Sequence, residues 1–251
     1  MTVTLEASYA ECRRLNRRHG TTYFWSTAVL PTVKRHHVHA LYAFCRHADD
    51  IVDDLVLKAV VHTVRAFDIE PDAFRRFLRS MTMDLTVSSY ATYDDLRTYM
   101  DGSAAVIGEM VLPILEPRDL AAATPPARAL GEAFQLTNFL RDVAEDLDRD
   151  RQYLPQDDLA RFGVDLTTRR CTPELVALMR FEVERCRELY RFAATGIPML
   201  PGRSARCIAA AHDLYGRILD RIEAQGYDVF ARRARVPTPV KLAVAARHIR
   251  P

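Results

Sequence analysis

The chain has 251 residues, and its 35 basic and 33 acidic side chains leave a net charge of +2. That is ample length for a sizeable core but gives no electrostatic footprint for nucleic acid. Its five cysteines, Cys12, Cys45, Cys171, Cys186 and Cys207, are scattered without a C-x-x-C pair, which argues against structural zinc and against a disulfide framework. The first residues lack the basic and apolar regions of a signal peptide, and no apolar run reaches membrane-spanning length, so the expected location is the cytoplasm.

Only 9 glycines, 13 prolines placed as punctuation, and apolar residues at helical spacing nearly throughout predict an all-α protein. No linker, low-complexity tract or repeat marks a boundary, so residues 1–251 are expected to form a single domain. The spacing predicts helices over 5–18, 31–54, 58–67, 71–83, 92–112, 126–148, 173–193 and 206–223. Thr172 and Pro173 supply a cap and a first-turn proline for the seventh, and Thr92 or Asp94 caps the fifth.

Early in the second predicted helix, Lys34-Arg35-His36-His37, with His39 beyond, reads as a solvated turn or a phosphate-facing basic patch. Further along it, Tyr42, Arg46, Asp49 and Asp53 fall on one face, with Asp50 and Asp54 beside them. The fifth helix carries small residues from Gly102 to Gly108, where each glycine costs about 1 kcal/mol relative to alanine. Either close helix packing or room for an apolar ligand accounts for them.

The sixth helix holds a second polar stripe, Gln135, Asn138, Asp142 and Asp146, with Arg141 and Glu145 adjacent. Like charges one helical turn apart repel unless a cation lies between them, and the apolar flanks of both stripes imply partial burial. Arg46 and Arg141 are too few to balance the carboxylates of the two clusters, a deficit that a divalent ion would offset. Mg²⁺ favours carboxylate oxygens and completes its shell with substrate phosphates, so two facing acidic segments suit a metal clamp on a diphosphate. Taken singly, each cluster also fits a solvated acidic face with i, i+4 partners. In the last predicted helix, His212-Asp213 forms an isolated pair.

With these residues in view, the chain resembles the squalene/phytoene synthase family, and most of all its bacterial phytoene synthases. The resemblance rests on His19 to Phe24, Ala40 to Asp53, Gly102 to Gly108, Gln135 to Asp146, Arg151 to Pro155, and the tail from Leu214 through Arg233. It implies the all-α isoprenoid synthase fold with a central cavity and a head-to-head joining of two prenyl diphosphates. It further implies that Asp49, Asp53, Asn138, Asp142 and Asp146 hold Mg²⁺ or Mn²⁺ and that Arg46, Arg141 and Gln135 contact diphosphate. Tyr42, Tyr153 and Tyr215 would line the reaction cavity, Thr22 and Tyr23 stand where relatives often carry Ser-Phe, and Arg232 or Arg233 would reach the diphosphate from the C-terminal side.

Two departures from the family pattern stand out. Many relatives have Tyr at the position of Asp101, where an acid either faces solvent or alters a diphosphate subsite. Asp54 is followed almost at once by Leu57-Lys58, where relatives have a loop and further helical chain. Either the protein is shortened there or a stretch is missing from the sequence; a missing stretch is expected, since mobile flaps commonly cover diphosphate sites.

The reading is therefore a prenyltransferase, soluble or in peripheral contact with a membrane surface. It uses prenyl diphosphates and a divalent cation, with no NADPH, because no dinucleotide fingerprint is present. The alternatives are a farnesyl diphosphate user making squalene, presqualene diphosphate or dehydrosqualene, a non-catalytic assembly factor of the same fold, and a phosphohydrolase built on His212-Asp213. Neutralising any of Asp49, Asp53, Asp142 or Asp146 is expected to leave the metal-free fold at least as stable, by relief of repulsion.

Overall fold

A computed structural model describes residues 4–47 and 54–249, leaving out the side chains of residues 21, 22, 47, 54, 55 and 249. Twelve α-helices account for most of the described chain: α1 Leu5–His19, α2 Thr21–Thr27, α3 Thr32–His47, α4 Asp54–Phe67, α5 Pro71–Met83, α6 Tyr93–Met100, α7 Val106–Leu115, α8 Leu120–Leu147, α9 Gln156–Phe162, α10 Pro173–Ala194, α11 Gly202–Ala224 and α12 Thr238–Ile249. The described residues contain no strand, only an isolated bridge between Ser89 and Gln152. The predicted all-α class holds, but α2, α9 and α12 had no counterpart among the predicted helices.

Local signals set most of the boundaries. Thr92 and Asp95 close a capping box on α6, and the Thr172 hydroxyl accepts from the Leu175 amide with Pro173 in the first turn of α10. The sixth predicted helix begins earlier than Pro126, because Asp119 caps the Ala122 amide and α8 carries Pro125 and Pro126 inside its early turns. The two prolines fall in the second turn, where each removes one backbone bond, to the Ala121 and Ala122 carbonyls. Pro126 then packs so closely on Gly196 that a Cβ there would lie 2.7 Å from its ring.

Helix α8 is the axis of the molecule, packing against α7, α10 and α11, and its buried residues Phe134, Leu136, Phe139 and Leu140 belong to the largest apolar cluster. Between α6 and α7 the chain widens into a π-helix, Asp101–Ala105. Both readings of the small-residue segment are met. A Cβ on Gly102 would lie 2.2 Å from the Arg76 carbonyl oxygen and one on Gly131 2.3 Å from that of Ala104, so the backbones touch, while Ser103, Ala104 and Gly108 line a cavity.

Two expectations change. Asp101 does not simply face solvent: it takes two hydrogen bonds from Arg76, at 2.8 and 3.0 Å, and pairs with Arg128, while Glu109 pairs with both arginines. The histidine run is not a solvated turn but part of α3. His37 bonds the Tyr9 and Thr63 hydroxyls at 2.9 Å, and His39 is fully buried beside Thr27. Burial lowers the His37 pKa to about 4 and that of His39 to about 3, so both are neutral imidazoles. Helix α4 starts at Asp54 and buries Val56, Ala59 and Val60 with Cys12, Leu15 and Ala43.

Glu182 on α10 is a buried carboxyl remote from the acidic stripes. It is wholly inaccessible, accepts from Arg185 at 2.7 Å and shares that guanidinium with Asp158. Burial pushes its pKa up to about 8, so the folded state holds a proton that the unfolded chain releases above its ordinary value of 4.5. Stability from this group is therefore full below pH 4.5 and lost as pH rises towards 8. Glu182→Gln, which keeps an acceptor for Arg185, should flatten this part of the melting temperature against pH curve and raise the melting point at pH 8 relative to the parent. Parallel curves for the two proteins would refute this origin of the slope.

Candidate active site

The second stripe was predicted from spacing alone, and α8 presents it as expected: Gln135 and Asn138 line a cavity of about 270 Å³, with Asp142 and Asp146 one and two turns beyond. Along α8 the cavity wall extends from Asn138 back to Ala123, fifteen residues or about 22 Å of helix. Its far end is apolar, formed by Leu30, Leu115, Ala123 and Leu200. Within the wall the Asn16 amide is fully buried with neither polar atom hydrogen-bonded.

At the polar end Asp142 lies between two guanidinium groups. Arg233 donates to its two oxygens at 2.7 and 2.8 Å, and Arg141 grips the same pair from the adjacent position. Burial opposes charge on Asp142, but the arginines prevail and hold its carboxyl below the ordinary range. Asp146 has the reverse balance: burial first, then repulsion from Asp142 and Glu145, pushes it up to about 7. Lys241, on α12, has its pKa lowered by burial and by the charges of Arg141 and Arg235, so cations crowd the same end.

Of the aromatic rings near the polar end, Tyr23, Tyr42 and Phe134 line the cavity, and Tyr215 packs against them without lining it. Tyr23 lies 5.2 Å from Tyr215 and 6.0 Å from Tyr42, ring centre to ring centre, and Phe134 stacks on Tyr215 at 4.2 Å. Burial raises the pKa of all three tyrosines, that of Tyr42 to about 12, so they remain neutral phenols at physiological pH.

The remaining predicted residues distribute unevenly. Tyr153 does not join this wall. It stacks on Phe139 at 4.0 Å, in a second aromatic group with Tyr90 and Tyr99, and receives a hydrogen bond from Arg151. Arg46 is exposed and does not line the cavity; Arg232 is exposed too, and Arg233 makes the C-terminal contact instead. Asp49 and Asp53, and the side chain of Thr22, lie outside the described residues. Among the described residues no three His, Cys, Asp or Glu side chains converge into a metal site. Asn138, Asp142 and Asp146 nonetheless offer the oxygen donors that Mg²⁺ takes, and the raised pKa of Asp146 marks a carboxylate short of positive charge, so the stripe fits one side of such a site. Sequence reasoning missed Phe134 and Lys241; the latter sits in a tail helix with no polar stripe to flag it.

The squalene/phytoene synthase family profile matches residues 16–56 and 54–240. A 15-cis-phytoene synthase from Synechococcus elongatus is 33% identical over 281 aligned positions, covering 95% of this chain and 91% of that one. Phytoene synthase 3 of Zea mays is 34% identical over 95% of this chain and 64% of its own. Among solved structures, a dehydrosqualene synthase superposes with a TM-score of 0.91 at 27% identity, covering 97% of this chain and 96% of that one. A squalene synthase from Alicyclobacillus acidocaldarius gives a TM-score of 0.81 at 27% identity, over 89% and 96%. Because 281 aligned positions exceed the 251 residues present, the cyanobacterial protein carries chain with no counterpart here. The two matched segments meet at 54–56, so the family's intervening stretch has no counterpart in this sequence at the start of α4.

The charge pattern makes two neighbouring carboxylates respond oppositely to the same change. Asp142→Asn abandons two bidentate pairs and leaves Arg141 half-compensated, so the metal-free protein should lose about 1–3 kcal/mol, against the expectation from simple repulsion. Asp146→Asn removes a strained charge and should raise the melting temperature. Equal shifts of the same sign in chelator would show that Arg233 does not clamp Asp142 in solution.

Proposed function

The chain belongs to the squalene/phytoene synthase family, and from that premise we propose that it is a phytoene synthase, joining two geranylgeranyl diphosphates through prephytoene diphosphate with release of diphosphate. The observation that carries this reading is the charged cluster of Asp142, Arg141 and Arg233 standing one turn along α8 beyond Asn138, at the polar end of a long apolar cavity. A prenyl diphosphate has that same polarity, and its hydrocarbon gains about 25 cal/mol for each Å² withdrawn from water. The names of the relatives from Synechococcus and Zea support the twenty-carbon substrate.

Mg²⁺ or Mn²⁺, held by Asn138, Asp142 and Asp146 with Asp49 and Asp53, would stabilise charge on the leaving diphosphate. Arg141, Arg233 and Lys241 add fixed positive charge at that end, in a setting where preorganised donors contribute several kcal/mol. The faces of Tyr23, Tyr42, Tyr215 and Phe134 can stabilise the allylic and cyclopropylcarbinyl cations by cation–π attraction. The apolar walls keep water from quenching those cations. The tyrosines, held neutral, are poor bases, which leaves the departed diphosphate as the proton acceptor. The likeness to dehydrosqualene and squalene synthases keeps farnesyl diphosphate as the second reading, with the cavity's length as the discriminating feature.

Incubation with each diphosphate, with and without NADPH and chelator, tests the assignment by product identity. Phytoene from geranylgeranyl diphosphate, independent of NADPH and abolished by chelator, is expected. Undiminished turnover in chelator, or a strict NADPH requirement, would reject it. Ala123 lies at the far apolar end and Ala104 in the π-helix wall, whereas Ala105 is buried off the cavity and offers no test of it. Ala123→Phe should therefore lower kcat/KM for geranylgeranyl diphosphate more than for farnesyl diphosphate. Equal losses with an intact fold would place the hydrocarbon elsewhere.

A further inference from the structure

A second, solvent-facing cavity of about 600 Å³ lies between α10, α11 and α12 and takes no part in the site described above. Arg187, Arg191, Arg217, Arg247, His212 and His248 line it against two acids, Asp213 and Asp220. The acids do not exhaust these donors. Arg217 uses only Nε on Asp213, at 2.8 Å, while outside the lining Glu223, Glu184 and Glu188 add to the acids: Arg187 uses only Nη2, on Asp220 and Glu223, and Arg191 only Nη2, on Glu184 and Glu188. Arg247 is exposed and has no ion pair among the described residues. A guanidinium carries five N–H donors, so each arginine retains an unused edge. His212 donates from Nε2 to the Tyr190 carbonyl oxygen at 3.1 Å, and the buried His248 Nε2 has no hydrogen bond, standing 3.8 Å from Asp213. The His212-Asp213 pair singled out in the sequence is thus split between a backbone carbonyl and Arg217, which is not a metal-ligand arrangement.

Gly216 supplies an independent indication. It sits in the middle of α11 and lines this cavity, yet nothing lies within 4 Å of where its Cβ would stand, and its backbone is ordinary helix. Glycine is the poorest helix former after proline, and neither close packing nor a left-handed turn requires it here. What its smallness does preserve is open space beside the arginines.

We propose that this cavity binds a phosphate or diphosphate anion, free or as a lipid headgroup, through the unused edges of Arg187, Arg191, Arg217 and Arg247. Such groups match guanidinium geometry. The position also gives binding a consequence. Helix α12 carries Arg247 and His248 at one end and Lys241, beside Arg141, at the other, about 9 Å away along the helix. An anion bridging α12 to α10 and α11 ties down the helix that brings Lys241 to the charged end of the main cavity.

Calorimetric titration of the full chain with inorganic diphosphate in EDTA tests the site, since binding there needs no metal. Co-sedimentation with phosphatidic acid vesicles, against phosphatidylcholine vesicles, identifies a headgroup source. Binding of either should be weakened at least about tenfold by Arg217→Ala with Arg247→Ala, and by Gly216→Leu, which fills the cavity without altering charge. It should persist in Arg233→Gln, which alters only the other charged site. Amide exchange in α12 should slow on binding in the parent and not in Gly216→Leu. Should the double variant fail to fold, Gly216→Leu decides alone. Absence of metal-independent binding to both probes, or binding indifferent to Gly216→Leu, overturns the proposal.

Discussion

Everything at the active end depends on keeping buried negative charge satisfied beside an apolar cavity. A carboxylate withdrawn from water costs several kcal/mol unless cations and hydrogen bonds replace its hydration, and α8 places two such groups one turn apart. Asp142 is satisfied within the protein by Arg141 and Arg233, whereas Asp146 is not and keeps its proton towards neutral pH. The unequal treatment is informative. A purely structural cluster would be expected to pair both, while a site that receives cation and anion together gains by leaving one carboxylate in deficit and a crowd of positive charge close by.

How much of this was legible in the sequence follows from the range of each interaction. The stripe Gln135, Asn138, Asp142 and Asp146 was readable because helical periodicity is local, and the cavity wall formed as that spacing required. Arg233 lies 91 residues from Asp142. Nothing local distinguishes it from Arg232 beside it; only the path of the chain after α11 decides which guanidinium faces inward. Tyr153 misled for a related reason: its motif follows α8 directly, but the chain turns so that the ring meets Phe139, on the face of α8 away from the cavity. The short helices α2 and α9 hold too few residues for periodicity to show, and Pro125-Pro126 imitated a helix start that Asp119 supplies earlier.

The small-residue segment shows why competing explanations from sequence need not exclude each other. Close approach at Gly102 and Gly131 lets α5 and α8 press on the π-helix, and the wider π turn carries Ser103 and Ala104 into the cavity wall. On the outer side, the network of Arg76, Asp101, Glu109 and Arg128 ties α5, the π-helix, α7 and α8 together. Partly exposed pairs contribute little singly, but a network of four charges spanning four elements resists the rotation that would return the segment to ordinary α-helix. The acid at position 101 is thus held by the arginines that flank it.

The seating of α4 has an apolar and a polar part. Helix α4 packs against α1 and α3. It does so partly by packing Val56, Ala59 and Val60 on Cys12, Leu15 and Ala43, and partly through Tyr9, whose hydroxyl meets His37, His62 and Thr63 at 2.9, 2.9 and 3.2 Å. Since His37 is held neutral by burial, this knot is a set of directional bonds rather than an ion pair, and it fixes the rotation of α4 as well as its distance. Helix α3 carries Tyr42 in the cavity wall, so whatever holds α4 to α3 also steadies that wall. The polar knot thus sits on the helix that leads into the first acidic motif, and it holds the orientation of a helix that lines the cavity.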